Sequence, residues 1–95
     1  MTPEEKKNLN KVLSEIEIKL MIELFDHVKG AVSELITGTD VYLIGDKLGL
    51  SRDEIYRYSI SLGKRGLLDA KPVFGPAIAG VQLTTRGADF VILIH

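Results

Sequence analysis

The side chains that most often carry catalysis or bind metals are few in this 95-residue chain. It has two histidines, His27 and His95, and no cysteine, so disulfides and thiolate-bound metals are excluded. Neither histidine stands at a metal-ligand spacing such as HExxH, and the GDKLG segment at 45–49 lacks the length and the Lys-Ser/Thr ending of a phosphate-binding loop. His27 lies near an apolar stripe, which favours a structural role. We therefore expect no enzyme, no metal or other cofactor and no small-molecule ligand.

Cations and hydrogen-bonding side chains instead collect between residues 51 and 65. A helix there, at 100° per residue, turns Ile55 and Leu62 toward a core and the following side chains outward or to the flanks: Arg57, Lys64, Tyr56, Ser61. Arg52 stands at the helix start, where backbone N–H groups also attract phosphate. Asp53 on the same face repels an anionic partner. A solvated helix face would show the same residue types, so both interpretations stay open.

Charge and hydropathy limit the partners. Residues 1–50 sum to −3 and residues 51–95 to +2, a mild polarity that permits a polyanionic partner for the second half without requiring one. Hydrophobic residues make up 45% of the chain, with a mean hydropathy of +0.14. For a domain this small, that value favours burial of apolar surface against a second copy.

The first third of the chain has a helical pattern. Thr2, Pro3 and Glu5 form a helix opening, and apolar residues recur at steps of three and four from Leu9 to Val28. Ser14 with Glu17 offers a second capping box, so residues 3–36 are one helix or two. We expect the helix to continue past Gly30 to residue 36, before the TGTD segment ends it and supplies Thr39 or Asp40 as the next N-cap.

A tight corner follows at Gly49-Leu50-Ser51. A short helix is predicted over 41–48 and a second one from the Ser51–Glu54 capping box to about residue 65, with Gly66 as its stop. Gly49 suits the positive φ that ends the first helix. Gly45 has no side chain, so the second helix can pack closely and Ile55 can fill the space between the two. The pattern therefore predicts a helix-turn-helix.

The final third changes character. LLDAKPVF and VQLTT read as two short strands that flank the tip GPAIAG at 75–80. The closing segment RGADFVILIH is predicted to form a last short helix with Thr85 as a possible cap.

In their order and spacing, these pieces resemble the winged helix-turn-helix superfamily over residues 40–90. The matching residues are Ile44, Gly45, Leu48, Gly49, Leu50, Ser51, Ile55, Leu62, RGLL at 65–68 and VQLTTRG at 81–87. The resemblance implies an α+β, mostly α, single domain over 1–95 with a three-helix core and a two-stranded β-hairpin wing. It places an N-terminal helical extension at 1–15, the helix-turn-helix at 40–66 and the wing at 67–85, with extra helical segments at both ends.

The resemblance also implies a function. Such domains lay the helix after the turn in the major groove of double-stranded DNA and set the hairpin on the backbone or minor groove. We therefore expect a small transcriptional regulator whose DNA contacts come from eight residues: Arg52, Tyr56, Arg57, Ser61, Lys64, Arg65, Lys71, Arg86. The alternative is a winged-helix protein–protein interaction module that binds no DNA.

The hairpin tip departs from the family pattern, because 75–80 carries no charge and an apolar tip is poor at contacting phosphate. It packs on the protein itself, on a dimer mate or on another partner. We further expect a homodimer formed by residues 1–15 and the C-terminal FVILI. No run of apolar residues is nearly as long as a membrane span, and no signal peptide is visible. A cytoplasmic, intracellular location is therefore expected.

Overall fold

The computed structural model describes residues 1–94 and is an α+β fold, mostly helical, as predicted. Its elements in chain order are α1 (Pro3–Val12), α2 (Glu15–His27), β1 (Ile36–Thr37), α3 (Gly38–Lys47), α4 (Arg52–Lys64), β2 (Leu68–Val73), β3 (Ala77–Leu83) and α5 (Thr85–Ile94). His95 lies outside the described residues. Within residues 1–94, no helix combines the length and the apolar character that crossing a membrane requires.

The first helical region is two helices, which decides between the two alternatives left open by the pattern. The Thr2 hydroxyl accepts from the Glu5 N–H and caps α1. Ser14 and Glu17 form a reciprocal capping box that starts α2. Because Ser14 has extended backbone angles, the apolar stripe breaks there even though its spacing continues.

The predicted continuation of this helix to residue 36 is wrong. α2 ends at His27, and Lys29 and Gly30 both take positive φ values, of 53° and 76°. The chain then turns, and Ile36 pairs with Val81 as part of β1. Local spacing favoured a helix, but the pairing of Ile36 with a residue 45 positions away holds the end of this segment extended. His27 is exposed at the end of α2, and its Nε2 lies 3.5 Å from a carboxylate oxygen of Asp40.

The predicted corner between α3 and α4 is confirmed. Gly49 has φ +76°, and the Leu50 N–H donates to the Gly45 carbonyl at 2.8 Å. A Cβ on Gly45 would lie 2.6 Å from two side-chain carbons of Ile55, so the glycine allows the close packing that the sequence indicated. α3 begins earlier than predicted, because Thr37 rather than Thr39 or Asp40 is its N-cap.

The three strands form one antiparallel sheet in the order β1-β3-β2. The sheet therefore has one strand more than the predicted two-stranded hairpin. The predicted tip also shifts: Ala77 to Gly80 belong to β3, and Phe74, Gly75 and Pro76 make the turn. A register irregularity lies between Lys71 and Pro72.

The core lies between the helices and the sheet. Its largest fully buried side chains come from α2, α3, α4, β3 and α5, and include Leu20, Leu24, Val41, Ile55, Leu62, Val81 and Phe90. The last helix is capped one residue earlier than predicted, because the Gly87 N–H donates to Oγ1 of Thr84 at 3.0 Å. This arrangement holds α4 on the sheet through its apolar stripe and leaves its other side exposed.

Candidate nucleic-acid interface

The first turn of α4 is the best-defined part of the candidate site. The Ser51 side chain accepts from the Glu54 N–H, and the Glu54 carboxylate accepts from the Ser51 N–H at 3.0 Å. Hydrogen bonding of the Glu54 carboxylate to the Ser51 backbone N–H, and next to the Ser51 side chain, lowers the pKa of Glu54 below its ordinary value of 4.5. The helix start is therefore fixed in space, and the next residue, Arg52, projects from a rigid position.

Arg52 is oriented by an aromatic ring on the neighbouring helix. Its guanidinium carbon lies 4.1 Å from the centroid of the Tyr42 ring on α3, a cation–π geometry. The Tyr42 hydroxyl accepts from the backbone N–H of Ile78 in β3 at 3.0 Å. Ile78 is opposite Pro72, next to the register irregularity. Tyr42 thus joins α3, the start of α4 and the outer part of the hairpin.

The exposed stripe of α4 carries the predicted cations, but one of them is paired. Nε of Arg57 donates to Asp53 at 2.9 Å within the helix. Lys64 and Arg65 are exposed at the end of the helix. Arg57 therefore offers its remaining guanidinium N–H groups to a partner, while the pair with Asp53 weakens its attraction for phosphate.

The flanking side chains of α4 are less available than predicted. Tyr56 and Ser61 are both half-buried, and Tyr56 packs against the core. Ile60 on the outward stripe is also half-buried. These residues border the exposed stripe and present only part of their surface to a partner.

The β2–β3 hairpin lies beside α4, and its first strand, β2, runs antiparallel to the helix. Near the end of α4, a Cβ on Gly63 would lie 3.6 Å from the Leu68 carbonyl at the start of β2. Farther along β2, Pro72 and Ile60 line one hollow. Val73, at the end of β2, borders a second hollow together with Arg52. The hairpin tip and the first turn of α4 are therefore at the same end of the molecule.

Phe74 projects from this tip. Its relative exposure is 106%, against 46% for its neighbour Val73, so the ring makes almost no contact with the rest of the protein. The hairpin from residue 70 to residue 83 contains no carboxylate and one cation, Lys71. An apolar tip without carboxylates therefore lies at the same end of the molecule as the start of α4, where Arg52 is followed by Asp53 and Glu54.

The two predicted contacts at the hairpin base differ in their surroundings. Nζ of Lys71 is 2.8 Å from the Asp69 carboxylate, and both residues are exposed. Arg86 donates to the Glu5 carboxylate at 2.7 Å and, through Nε, to the Arg65 carbonyl at 3.3 Å. This pairing lowers the pKa of Glu5. Arg86 is thus engaged in holding α1 against α5 and the end of α4.

We call the exposed side formed by α4 and the β2–β3 hairpin the α4–hairpin surface. It contains these residues: Arg52, Asp53, Arg57, Ile60, Lys64, Arg65, Asp69, Lys71, Val73, Phe74. It carries five cations and two carboxylates, and with the Glu54 carboxylate at its edge the net charge is +2. Because the whole chain carries −1, this surface is the positive side of an otherwise acidic molecule.

The two segments predicted to form a dimer contact expose their apolar side chains at different places. The Met1 amino group lies 3.6 Å from Asp89, and Glu5 pairs with Arg86, so α1 and α5 are antiparallel. Exposed Val12 on α1 and exposed Ile92 on α5 are therefore about 20 Å apart along the helix axes at 1.5 Å per residue. Ile92 and Leu93 form one apolar patch on α5, whereas Val12 is exposed at the end of α1.

Two residues of this site were missed in the sequence. Tyr42 was part of a predicted helix with no assigned role, since neither the sheet nor Arg52 could be placed next to it. The strand pattern LLDAKPVF puts Phe74 at the end of a strand, since it predicts the tip at 75–80. Its position directly before Gly75-Pro76 is the signal that would have placed it at the turn.

No protein-family model matches this chain, and no curated protein and no solved structure shows significant similarity to it. The function is therefore argued from the residues of the α4–hairpin surface.

Proposed function

We propose that this protein is a small double-stranded DNA-binding protein of winged helix-turn-helix type that acts as a transcriptional regulator, probing the major groove with α4. The observation that carries the proposal is the α4–hairpin surface. There a rigidly capped, projecting helix lies beside the β2–β3 hairpin, whose residues 70–83 carry no carboxylate, and the surface as a whole has a net charge of +2. A positive patch around an exposed helix is the electrostatic signature of nucleic-acid binding.

Each residue has a separate role in this proposal. Arg52 faces base edges or phosphates at the start of α4, where the Tyr42 ring holds it. The remaining N–H groups of Arg57 face the same partners. Lys64, Arg65 and Lys71 contact phosphates along the flanks. Tyr56 and Ser61 supplement these contacts from the edges of the helix.

In this proposal Arg86 makes contacts within the protein and does not contact DNA. Its guanidinium already donates to Glu5 and to the Arg65 carbonyl, and release from these partners would cost two charge-assisted or polar hydrogen bonds. It acts as a positioning residue that holds the end of α4.

A salt series on duplex DNA tests the proposal. Binding of the protein to a random duplex, followed by fluorescence anisotropy, should be strong at low salt and fall linearly as log K against log salt. With five cations on the surface, the slope should be about −4.5. Absence of binding at the lowest salt would overturn the proposal.

Two substitutions test the choice of surface. Lys64→Ala should weaken binding to every duplex about equally and make the salt slope about one unit shallower, because it removes one phosphate contact. Arg57→Ala should weaken binding by an amount that depends on the base sequence. Lys19→Ala, an exposed cation on α2, is the matched control and should bind like the wild type. If all three variants bind equally well, α4 is not the DNA-contacting helix.

The second candidate is a winged-helix protein-interaction module. The observation that favours it is the exposed apolar side chain of Leu43 on α3, 60% accessible, beside the hollow that Arg52 and Val73 line. A module of this kind would bind no duplex at low salt, so the same salt series separates the two candidates.

A homodimer is part of the first proposal, since a twofold pair presents two copies of α4 to a palindromic site. The Ile92–Leu93 patch on α5 supports it. Sedimentation at micromolar concentration should show a species of twice the 10.5-kDa chain mass. A single 10.5-kDa species would contradict the dimer and leave the DNA-binding proposal in place.

A further inference from the structure

We propose that Phe74 is an intercalating wedge: it enters the minor groove beside α4 and partly unstacks one base step, which kinks the duplex. This inference rests on the DNA-binding function proposed above and adds to it. It would make the protein one that deforms DNA as well as one that binds it.

The first argument is the exposure of Phe74. Folding gains nothing from a phenyl ring left fully in water, because the stabilisation by an apolar side chain comes from removing its surface from water. Val73 and Pro76 are also exposed on the same tip. The tip therefore carries an apolar projection that the fold does not use.

The second argument is that this projection is rigidly mounted. The strands remain paired up to Val73 and Ala77, and the turn between them has only three residues. Gly75 adopts φ +87°, and its carbonyl accepts from the Ala77 N–H at 2.9 Å. The Tyr42 hydroxyl holds the outer hairpin to α3 through Ile78. A side chain that separates stacked nucleobases must not be displaced itself, so it needs a rigid support of this kind.

The third argument is where the tip lies. Val73 borders the same hollow as Arg52, so the tip that carries Phe74 lies at the same end of the molecule as the first turn of α4. With α4 in the major groove, the adjacent hairpin faces the backbone and the neighbouring minor groove. That groove is about 6 Å wide and admits a hairpin tip with one ring more readily than a helix.

The fourth argument is charge. No carboxylate occurs from residue 70 through residue 88. The hollow that Val73 borders is lined by one cation, Arg52, and one carboxylate, Asp46. A polyanion can therefore approach the ring without repulsion from the hairpin. Minor-groove proteins insert Phe, Leu, Ile, Met or Pro between base steps and offset the unstacking cost by the additional contacts that the bent duplex permits.

The experiment separates unstacking from binding. A duplex of about 25 base pairs carries 2-aminopurine at a central TA step, the kind of step that unstacks most easily, and dyes at both ends. Saturating wild-type protein should raise the 2-aminopurine fluorescence and shorten the distance between the ends. Phe74→Ala should lose both signals yet bind within about tenfold of the wild type, because phosphate contacts carry most of the affinity.

Two further variants serve as controls. Phe74→Trp keeps a large ring and should retain both signals. Val32→Ala removes apolar surface of 41% exposure from the 28–35 loop and should behave like the wild type. Since Phe74 makes almost no intramolecular contact, Phe74→Ala should unfold at the same denaturant concentration as the wild type.

The outcomes are distinguishable. Wild-type binding with no fluorescence or distance change overturns the wedge and leaves the DNA-binding proposal in place, as does a Phe74→Ala variant that keeps both signals. Absence of duplex binding overturns the function itself. Phe74-dependent co-sedimentation with phosphatidylglycerol vesicles, or Phe74-dependent self-association, without unstacking would assign the ring to a membrane surface or to a second copy and would also overturn the wedge.

Discussion

At the scale of single residues, Gly45 sets the distance between α3 and α4. Ile55 occupies the space where a side chain on residue 45 would be. The position of α4 therefore depends on the absence of a side chain at Gly45. Gly63 lies on α4 as well, but a Cβ there would meet only ordinary contacts, at 3.6 and 3.8 Å.

We expect Gly45→Ala to lower the free energy of unfolding by about 1–3 kcal/mol, because the new methyl group overpacks the interface with Ile55. Gly63→Ala is the matched control. It should raise the free energy of unfolding by about 0.5–1 kcal/mol through helix propensity. Urea denaturation measures both, and equal stability of the two variants would contradict the close packing.

At the scale of elements, capping hydrogen bonds decide where each helix begins. Four helices start at a hydroxyl that accepts from the N–H three residues later: Thr2, Ser14, Thr37, Ser51. The last helix does the same with Thr84, which also donates to the Gly66 carbonyl at 2.6 Å. The hydroxyl at position 84 thus ties the end of β3 to the turn after α4.

Thr84→Ala should lower the free energy of unfolding by about 1 kcal/mol or somewhat more, through loss of the cap and of the bond to Gly66. Thr85→Ala, at the neighbouring exposed position, should change it by less than about 0.5 kcal/mol. Thermal or urea unfolding of the pair decides which threonine is the cap. The reverse order of stabilities would mean that Thr85 has that role.

At the scale of the whole molecule, an ion pair between residues 81 positions apart holds the first helix on the last one. The Arg86 guanidinium beside Glu5 lowers the pKa of that carboxyl below its ordinary value of 4.5. A carboxyl with a lowered pKa in the folded state stabilises the fold above its unfolded pKa. That contribution is lost as the pH falls through the lower, folded pKa.

Glu5→Gln should therefore be less stable than the wild type at pH 6, and the difference should shrink as the pH falls below about 4.5. Because both side chains are partly exposed, we expect a small difference that added salt reduces further. Glu4→Gln, at an exposed position on the same helix, is the control. Urea denaturation from pH 6 to pH 3 measures the effect, and a constant difference between wild type and Glu5→Gln across that range would rule out the ion pair as its source.

By itself, the sequence determined most of the local structure. The Thr2, Ser14 and Ser51 caps, the break at Gly49 and the glycine–isoleucine contact at Gly45 all follow from interactions among residues three to ten positions apart. Such interactions are encoded by residue type and spacing. The cations of α4 were found for the same reason, since a helix of known start has a calculable outward face.

Only the tertiary structure decided the rest. The segment at 28–36 matched a helix in spacing, yet it forms turns and ends at Ile36, which is buried and pairs with β3. The engagement of Arg86 by Glu5, the stacking of Arg52 on Tyr42 and the projection of Phe74 depend on which elements meet in space. Residue type gives the chemistry a side chain offers, whereas partners distant in sequence determine whether that chemistry is used by the fold or left for a ligand.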